Sequence, residues 1–144
     1  MTPRTFVIDT NVVVAGLITT PDRSPATAVL DAMLTGSVIY LLSPALLAEY
    51  RAVLLRPKLA NLHGLVEAEV DQLLVEVTAN AMWREPQEAT GAPDRGDDHL
   101  WALLGAHADS ILVTGDQLLL ARPPPDHSVI SPRSWLDTFS GERR

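Results

Sequence analysis

The chain has 144 residues, 47% of them apolar and 20% charged, which is the size and composition of one soluble globular domain with room for a real core. It contains no cysteine, so disulfides, thiolate zinc sites and cysteine nucleophiles are excluded. The formal net charge of -7 argues against holding nucleic acid by charge alone, less so where part of the acid belongs to a metal site. No run reaches the roughly 20 apolar residues needed to span a membrane, and Asp9 interrupts the first apolar stretch where a signal peptide would have none. The sequence therefore reads as a cytoplasmic protein.

Residues 5–9 read as the first strand. Phe6, Val7 and Ile8 run straight into Asp9, and a short apolar run closed by polar residues is the pattern of a buried parallel-sheet strand. Residues 11–17 are apolar and either open a helix or continue as a buried turn. Residues 19–25 form a loop by composition, with Ser24 as N-cap and Pro25 at the first position of a helix to about Leu34. Ala28, Val29, Ala32 and Met33 fall on one face of it, and Gly36 is its stop. Residues 38–42 are the second strand. Ser43-Pro44 repeats the cap-plus-proline start for a helix with Leu46, Leu47, Tyr50, Val53 and Leu54 at helical spacing, ending near Arg56-Pro57.

Residues 65–82 form a third amphipathic helix, and residues 85–95, with Pro86, Gly91 and Pro93, a polar loop. A helix over 97–108 leads to a buried strand over 110–114 that stops at Gly115-Asp116. Residues 117–121 are a short helix, 122–126 a stiff connector and 127–130 a weak last strand. Ser131-Pro132 starts a final helix through Trp135, Leu136 and Phe139, and 141–144 reads as a mobile tail. The alternation of strands and helices over 1–144 is that of one α/β domain with a mainly parallel sheet.

Several carboxylates stand out by position. Asp9 ends the first strand, and Asp116 lies just beyond the strand over 110–114. In a parallel sheet both ends share one edge, where ligands gather. Glu49 sits on the helix after the second strand, partly inward by its spacing to Leu46 and Val53. Asp97 and Asp98 open a helix, and Asp94 precedes them. Converging acids raise one another's pKa, and the usual remedy is a hard cation with oxygen ligands, Mg²⁺ or Mn²⁺. Such a site suits phosphodiester hydrolysis. Each acid also has an ordinary reading: Asp9 as a turn residue, Asp116 as an N-cap, Asp97 and Asp98 as first-turn acids, Glu49 as a solvated helix residue. His63, His99, His107 and His127 lack metal spacing and read as surface or local hydrogen-bonding residues. Arg51, Arg56 and Lys58 form the one basic cluster, a weak candidate for guiding a phosphate backbone.

Val7-Ile8-Asp9-Thr10-Asn11, Ser43-Pro44 through Glu49-Tyr50, Asp94-Arg95-Gly96-Asp97-Asp98-His99-Leu100 and Ala108 through Gly115-Asp116 occur in that order. In them the sequence resembles the PIN-domain family of metal-dependent ribonucleases, and it looks most like the stand-alone bacterial and archaeal members treated as toxins of toxin–antitoxin pairs. The resemblance implies a three-layer α/β/α sandwich and an acidic pocket holding Mg²⁺ or Mn²⁺. It carries the family's acids onto Asp9, Glu49, Asp116 and either Asp97 or Asp98, with Thr10 and Asn11 positioning the first.

The resulting expectation is an endoribonuclease. Asp9, Asp97 or Asp98, and Asp116 hold the metal, while Glu49 ligates a second metal or orients the water. The resemblance also implies RNA as substrate, a homodimer and a small antitoxin protein. The rival from another class is a catalytically silent PIN-like module acting through protein partners, against which the complete acid set argues. An aspartyl phosphatase would need a second Asp where Asn11 stands, and a phospho-receiver a lysine late in the chain, whereas Lys58 is the only one.

Overall fold

The structure is a computed structural model that describes residues 4–18 and 24–140. The expected tail over 141–144 and most of the expected loop over 19–25 lie outside the described residues. Five strands, β1 (Thr5–Ile8), β2 (Ile39–Leu42), β3 (Met82–Trp83), β4 (Ile111–Val113) and β5 (Val129–Ile130), form one sheet in the order β3-β2-β1-β4-β5. Every pairing is parallel, where a mainly parallel sheet was expected. The helices are α1 (Thr10–Ile18), α2 (Pro25–Thr35), α3 (Pro44–Leu54), α4 (Pro57–His63), α5 (Glu67–Ala79), α6 (Asp98–Gly105), α7 (Gln117–Ala121) and α8 (Pro132–Phe139). With them the sheet makes a three-layer α/β/α sandwich.

Three helices start by the same local device. Ser24, Ser43 and Ser131 are extended N-caps whose hydroxyls accept from the backbone N–H of Thr27, Leu46 and Ser134 at 3.0, 3.1 and 3.1 Å. Each is followed by a proline that needs no N–H partner. Such a cap contributes about 1 kcal/mol. Gly36 closes α2 at φ 74°, a left-handed conformation open to glycine at little cost. Gly16 has a different role: a β-carbon there would stand 2.9 Å from the carbonyl oxygen of Ala26 and 3.0 Å from Leu30 Cβ, so α1 and α2 approach backbone to backbone.

Residues 11–17 resolve as helix, since α1 begins immediately after Asp9. The expected helix over 65–82 stops at Ala79, and Met82–Trp83 leaves it as an edge strand too short to show alternation. α4 was not expected. It buries no residue, so it carries no apolar period, although Pro57 at its start and Gly64 at its end (φ 74°) mark its limits. The expected helix over 97–108 divides into a 3-10 turn, Arg95–Asp97, and the shorter α6.

The core follows from the sheet. Residues Thr5–Ile8 of β1 are all buried, and Tyr40, Leu41, Leu42, Leu112 and Val113 lie inside beside them. Two buried tyrosines tie helices to strands: the Tyr40 hydroxyl donates to the Val77 carbonyl at 2.6 Å, and the Tyr50 hydroxyl to the Ile8 carbonyl at 2.5 Å. Tyr50 thereby fixes α3, and with it Glu49, against the carboxyl end of β1. The chain fills one side of β1 with β2 and β3 and then crosses to the other side with β4 and β5. β1 and β4 therefore flank the point where strand order reverses, and a crevice opens there at the strands' carboxyl ends.

Candidate active site

Asp9 is the first residue past β1, and its backbone N–H extends the ladder to the Val113 carbonyl at 3.0 Å. It is 5% exposed. Oδ1 accepts from the backbone N–H of Thr10 at 2.7 Å; Oδ2 accepts from Thr114 Oγ1 at 2.8 Å and Asn11 Nδ2 at 3.1 Å. Burial pushes the Asp9 carboxyl above its ordinary range, against the pull of Thr114 and Thr10. Asn11 also accepts from the Gly115 N–H at 2.9 Å, so one amide side chain ties the ends of β1 and β4 together.

Glu49 reaches the same edge from α3. Thr10 Oγ1 donates to Glu49 Oε1. Glu49 Oε2 lies 3.5 Å from His99 Nε2, an ion-pair distance without hydrogen-bond geometry. The imidazole holds the Glu49 carboxyl below its ordinary range, burial opposing it, and Glu49 in turn raises the His99 pKa. Asp97 comes from the 3-10 turn before α6. Burial first, then the charges of Asp9, Glu49, Asp94 and Asp116, push its carboxyl up to about 6. Asp116 lines the same space, and its Oδ1 caps α7 by accepting from the Leu118 N–H at 2.8 Å.

Asp9, Thr10, Asn11, Glu49, Asp97 and Asp116 line an open cleft of about 600 Å³. Its apolar lining comes from Val14, Ala15 and Ile18 of α1, Val53 of α3 and Leu59 of α4, and Arg56 lines it as well. Carboxylates that lift one another's pKa, beside one imidazole and one guanidinium, are chemically suited to a divalent cation. Ligand atoms of Glu49, Asp97 and His99 lie within 4.8 Å of one another, so the donor set fits such an ion. A model of the PIN domain matches residues 5–118, a span that holds every one of these groups. The chain belongs to the PIN-domain family. No curated protein and no solved structure matches it.

PIN domains are generally nucleases, and this one presents the acidic cleft such hydrolysis needs. Of the residues singled out from sequence, the PIN cleft brings together Asp9, Glu49, Asp97 and Asp116, with Thr10 and Asn11 bound to the first. Asp98 does not line it. Its Oδ1 accepts from the Ala92 N–H at 3.0 Å and anchors the preceding loop, so of the two adjacent acids Asp97 is the one that reaches the cleft. The basic candidates part in the same way. Arg56 lines the cleft, whereas Arg51 is turned to α5, with Nε 2.7 Å from Asp71 Oδ1 and a terminal nitrogen 2.7 Å from Glu67 Oε2.

His99 corrects the expectation of a surface or local hydrogen-bonding role. Both its ring nitrogens are buried beside the acids, Nε2 facing Glu49 Oε2 and Nδ1 without a hydrogen-bond partner. The residue escapes a reading by period because Asp97 ends a 3-10 turn while His99 is already helical. Their separation of two positions is the spacing of a strand face, and it falls in a segment that reads as helix, where i and i+2 do not share a face. The other three histidines behave as expected: His63 binds the Leu54 carbonyl and the Leu65 N–H, His107 the Ala108 carbonyl and His127 the Ser110 carbonyl. No helix among the described residues is long and apolar enough to cross a membrane.

Proposed function

We propose that this PIN domain is a metal-dependent endoribonuclease that hydrolyses RNA phosphodiester bonds with Mg²⁺ or Mn²⁺ in the acidic cleft. The observation that carries this reading is the meeting of Asp9, Glu49, Asp97 and Asp116 in one cleft at the strand-order reversal. A divalent cation held there supplies neutralisation of phosphate charge and activation of water. Asp9, Asp97 and Asp116 would hold it.

The protein's own groups do the rest. Thr10 and Asn11 aim Asp9 through fixed hydrogen bonds, which preorganises the site. Thr10 also fixes Glu49, which ligates a second cation or takes a proton from the attacking water. Arg56 reaches a non-bridging phosphate oxygen, where a planar guanidinium is well matched. The apolar lining residues Val14, Ile18, Val53 and Leu59 offer surface against which a base can lie.

The resemblance to stand-alone toxin-like members supports a cytoplasmic toxin, active as a homodimer and held in check by a small antitoxin protein. The decisive experiment is cleavage of end-labelled single-stranded RNA by purified protein with and without Mn²⁺ or Mg²⁺. Internal cuts that need the metal and fall by about 100-fold or more in Asp9→Asn are expected. Equal cleavage by that variant, with its fold intact, would remove the carboxylate from the chemistry. Growth arrest on expression of the wild type but not of Asp9→Asn tests the toxin role.

A further inference from the structure

We propose that His99 is a metal-ligating residue of this chain, joining the carboxylates of Glu49 and Asp97 in a mixed nitrogen–oxygen subsite that favours first-row transition cations over Mg²⁺. His99 can act in this way only if the cleft is the divalent-metal site proposed above.

Three observations converge on the ring. Ligand atoms of Glu49, Asp97 and His99 all lie within 4.8 Å of one another, near the spacing of donors around a single cation. Both ring nitrogens are buried; Nε2 has only a long contact to Glu49 Oε2, at 3.5 Å, and Nδ1 has no hydrogen-bond partner. Every other histidine of the chain has a ring nitrogen bound to a backbone carbonyl. A buried polar atom without a partner is costly, and a cation on the ring relieves that cost. The neighbours are also built to hold the arrangement. Glu49 is pinned by the Thr10 hydroxyl, and α6, which carries His99, packs on β1, β4 and α3.

The plainer role for His99 is a counter-charge to Glu49, since Nε2 and Oε2 are 3.5 Å apart. That contact is long beside the roughly 2.7–2.9 Å of a charge-assisted hydrogen bond, which leaves room for an ion between the two groups. The donor chemistry sets the metal preference. Mg²⁺ takes oxygen ligands and seldom leaves them, while imidazole suits transition ions, with affinity rising from Mn²⁺ to Co²⁺. The triad therefore gives this cleft a selectivity that carboxylates alone would not.

Full-length protein with one equivalent of Mn²⁺ is the sample for the test, read by calorimetry and by pulsed electron paramagnetic resonance. The expected result is ¹⁴N modulation from a directly bound imidazole, replaced by a ¹⁵N pattern after labelling with ¹⁵N-histidine and lost in His99→Gln. In that variant the affinity for Co²⁺ falls about 10-fold or more, and that for Mg²⁺ changes by less than about 3-fold. Tight Mn²⁺ binding with no nitrogen modulation in the wild type overturns the role of His99 and leaves the carboxylate site standing. Absence of Mn²⁺ binding at millimolar concentration overturns both. The wild-type spectrum decides the matter even if His99→Gln does not fold.

Discussion

Thr10 and Glu49, 39 residues apart, are joined by a hydrogen bond from the Thr10 hydroxyl to Glu49 Oε1, while the backbone N–H of Thr10 donates to Asp9 Oδ1. A single buried residue thus sets the relative position of two acids carried by different elements. Neither acid has to find its place when substrate arrives, which is the preorganisation that makes charged groups effective in catalysis.

Thr10→Val removes the hydroxyl and keeps the branched shape. Glu49 then loses a donor and swings between rotamers, while Asp9 keeps its backbone and side-chain donors. RNA cleavage is expected to fall about 10-fold with the fall in kcat rather than KM, and Thr10→Ser is expected to recover most of it. Steady-state kinetics on a short labelled RNA checks this. If Thr10→Val and wild type share the same kcat, the hydroxyl is only packing.

Crowded acids also set the pH dependence of the metal-free protein. Asp97 titrates near 6 in the folded state against 3.8 when unfolded, and Asp9 and His99 are likewise raised above 3.8 and 6.5. A group with a raised folded pKa adds stability that is complete below its unfolded pKa and lost as pH rises through the folded value. All three therefore act in one direction. Glu49 and Asp71, whose pKa values are lowered, act only below about 4.5, so they are constant in this window. The Tm of metal-free protein is expected to fall by several degrees between pH 5 and pH 8. Saturating Mn²⁺ should reverse that fall, because an ion bound to the native state stabilises it. A flat or rising Tm in EDTA over that range would show that these acids are not in conflict.

Much of this was legible in the sequence because it is local. The Ser-Pro helix starts at Ser24, Ser43 and Ser131, the glycine stop at Gly36 and the apolar run into Asp9 each depend on a few adjacent residues, and each holds in the structure. What was hidden depends on geometry between distant elements. Nothing in the order Asp97-Asp98 says which carboxylate faces the cleft, because the 3-10 turn before α6 rotates Asp97 inward and sends Asp98 to the Ala92 N–H. His99 was misread for the same reason. The short strand β3 and the exposed helix α4 lack the length or the burial that gives a period to read.

The two neighbouring acids should therefore separate cleanly on substitution. Asp97→Asn removes a like charge from the cleft, so metal-free protein is expected to gain Tm at pH 7.5 while Mn²⁺-supported cleavage falls about 100-fold or more. Asp98→Asn keeps an acceptor for the Ala92 N–H and is expected to stay within about 3-fold of wild-type cleavage. Differential scanning calorimetry in EDTA, beside a cleavage assay, tests both. Equal losses of activity in the two variants would mean that Asp98, too, turns into the cleft during catalysis.

Arg51 and Arg56 offer the corresponding contrast on the basic side. Arg51 is engaged by Asp71 and Glu67 on the α3–α5 surface, with its side chain 44% exposed. Exposed pairs contribute little, so Arg51→Gln is expected to lower Tm slightly and to leave KM for RNA unchanged. Arg56 lines the cleft with the acids and is close enough to Glu49 to lower its pKa. Removing it takes away a cation that phosphate would meet on entry, so Arg56→Gln should raise KM about 10-fold and flatten the salt dependence of KM. Arg56→Lys should restore the salt dependence but only part of the affinity, because an ammonium cannot bind phosphate in the planar, two-pronged way of a guanidinium. KM measured from 50 to 300 mM salt for all four proteins distinguishes the roles. A KM change in Arg51→Gln equal to that in Arg56→Gln would place the RNA path across α3 and α5 instead of along the cleft.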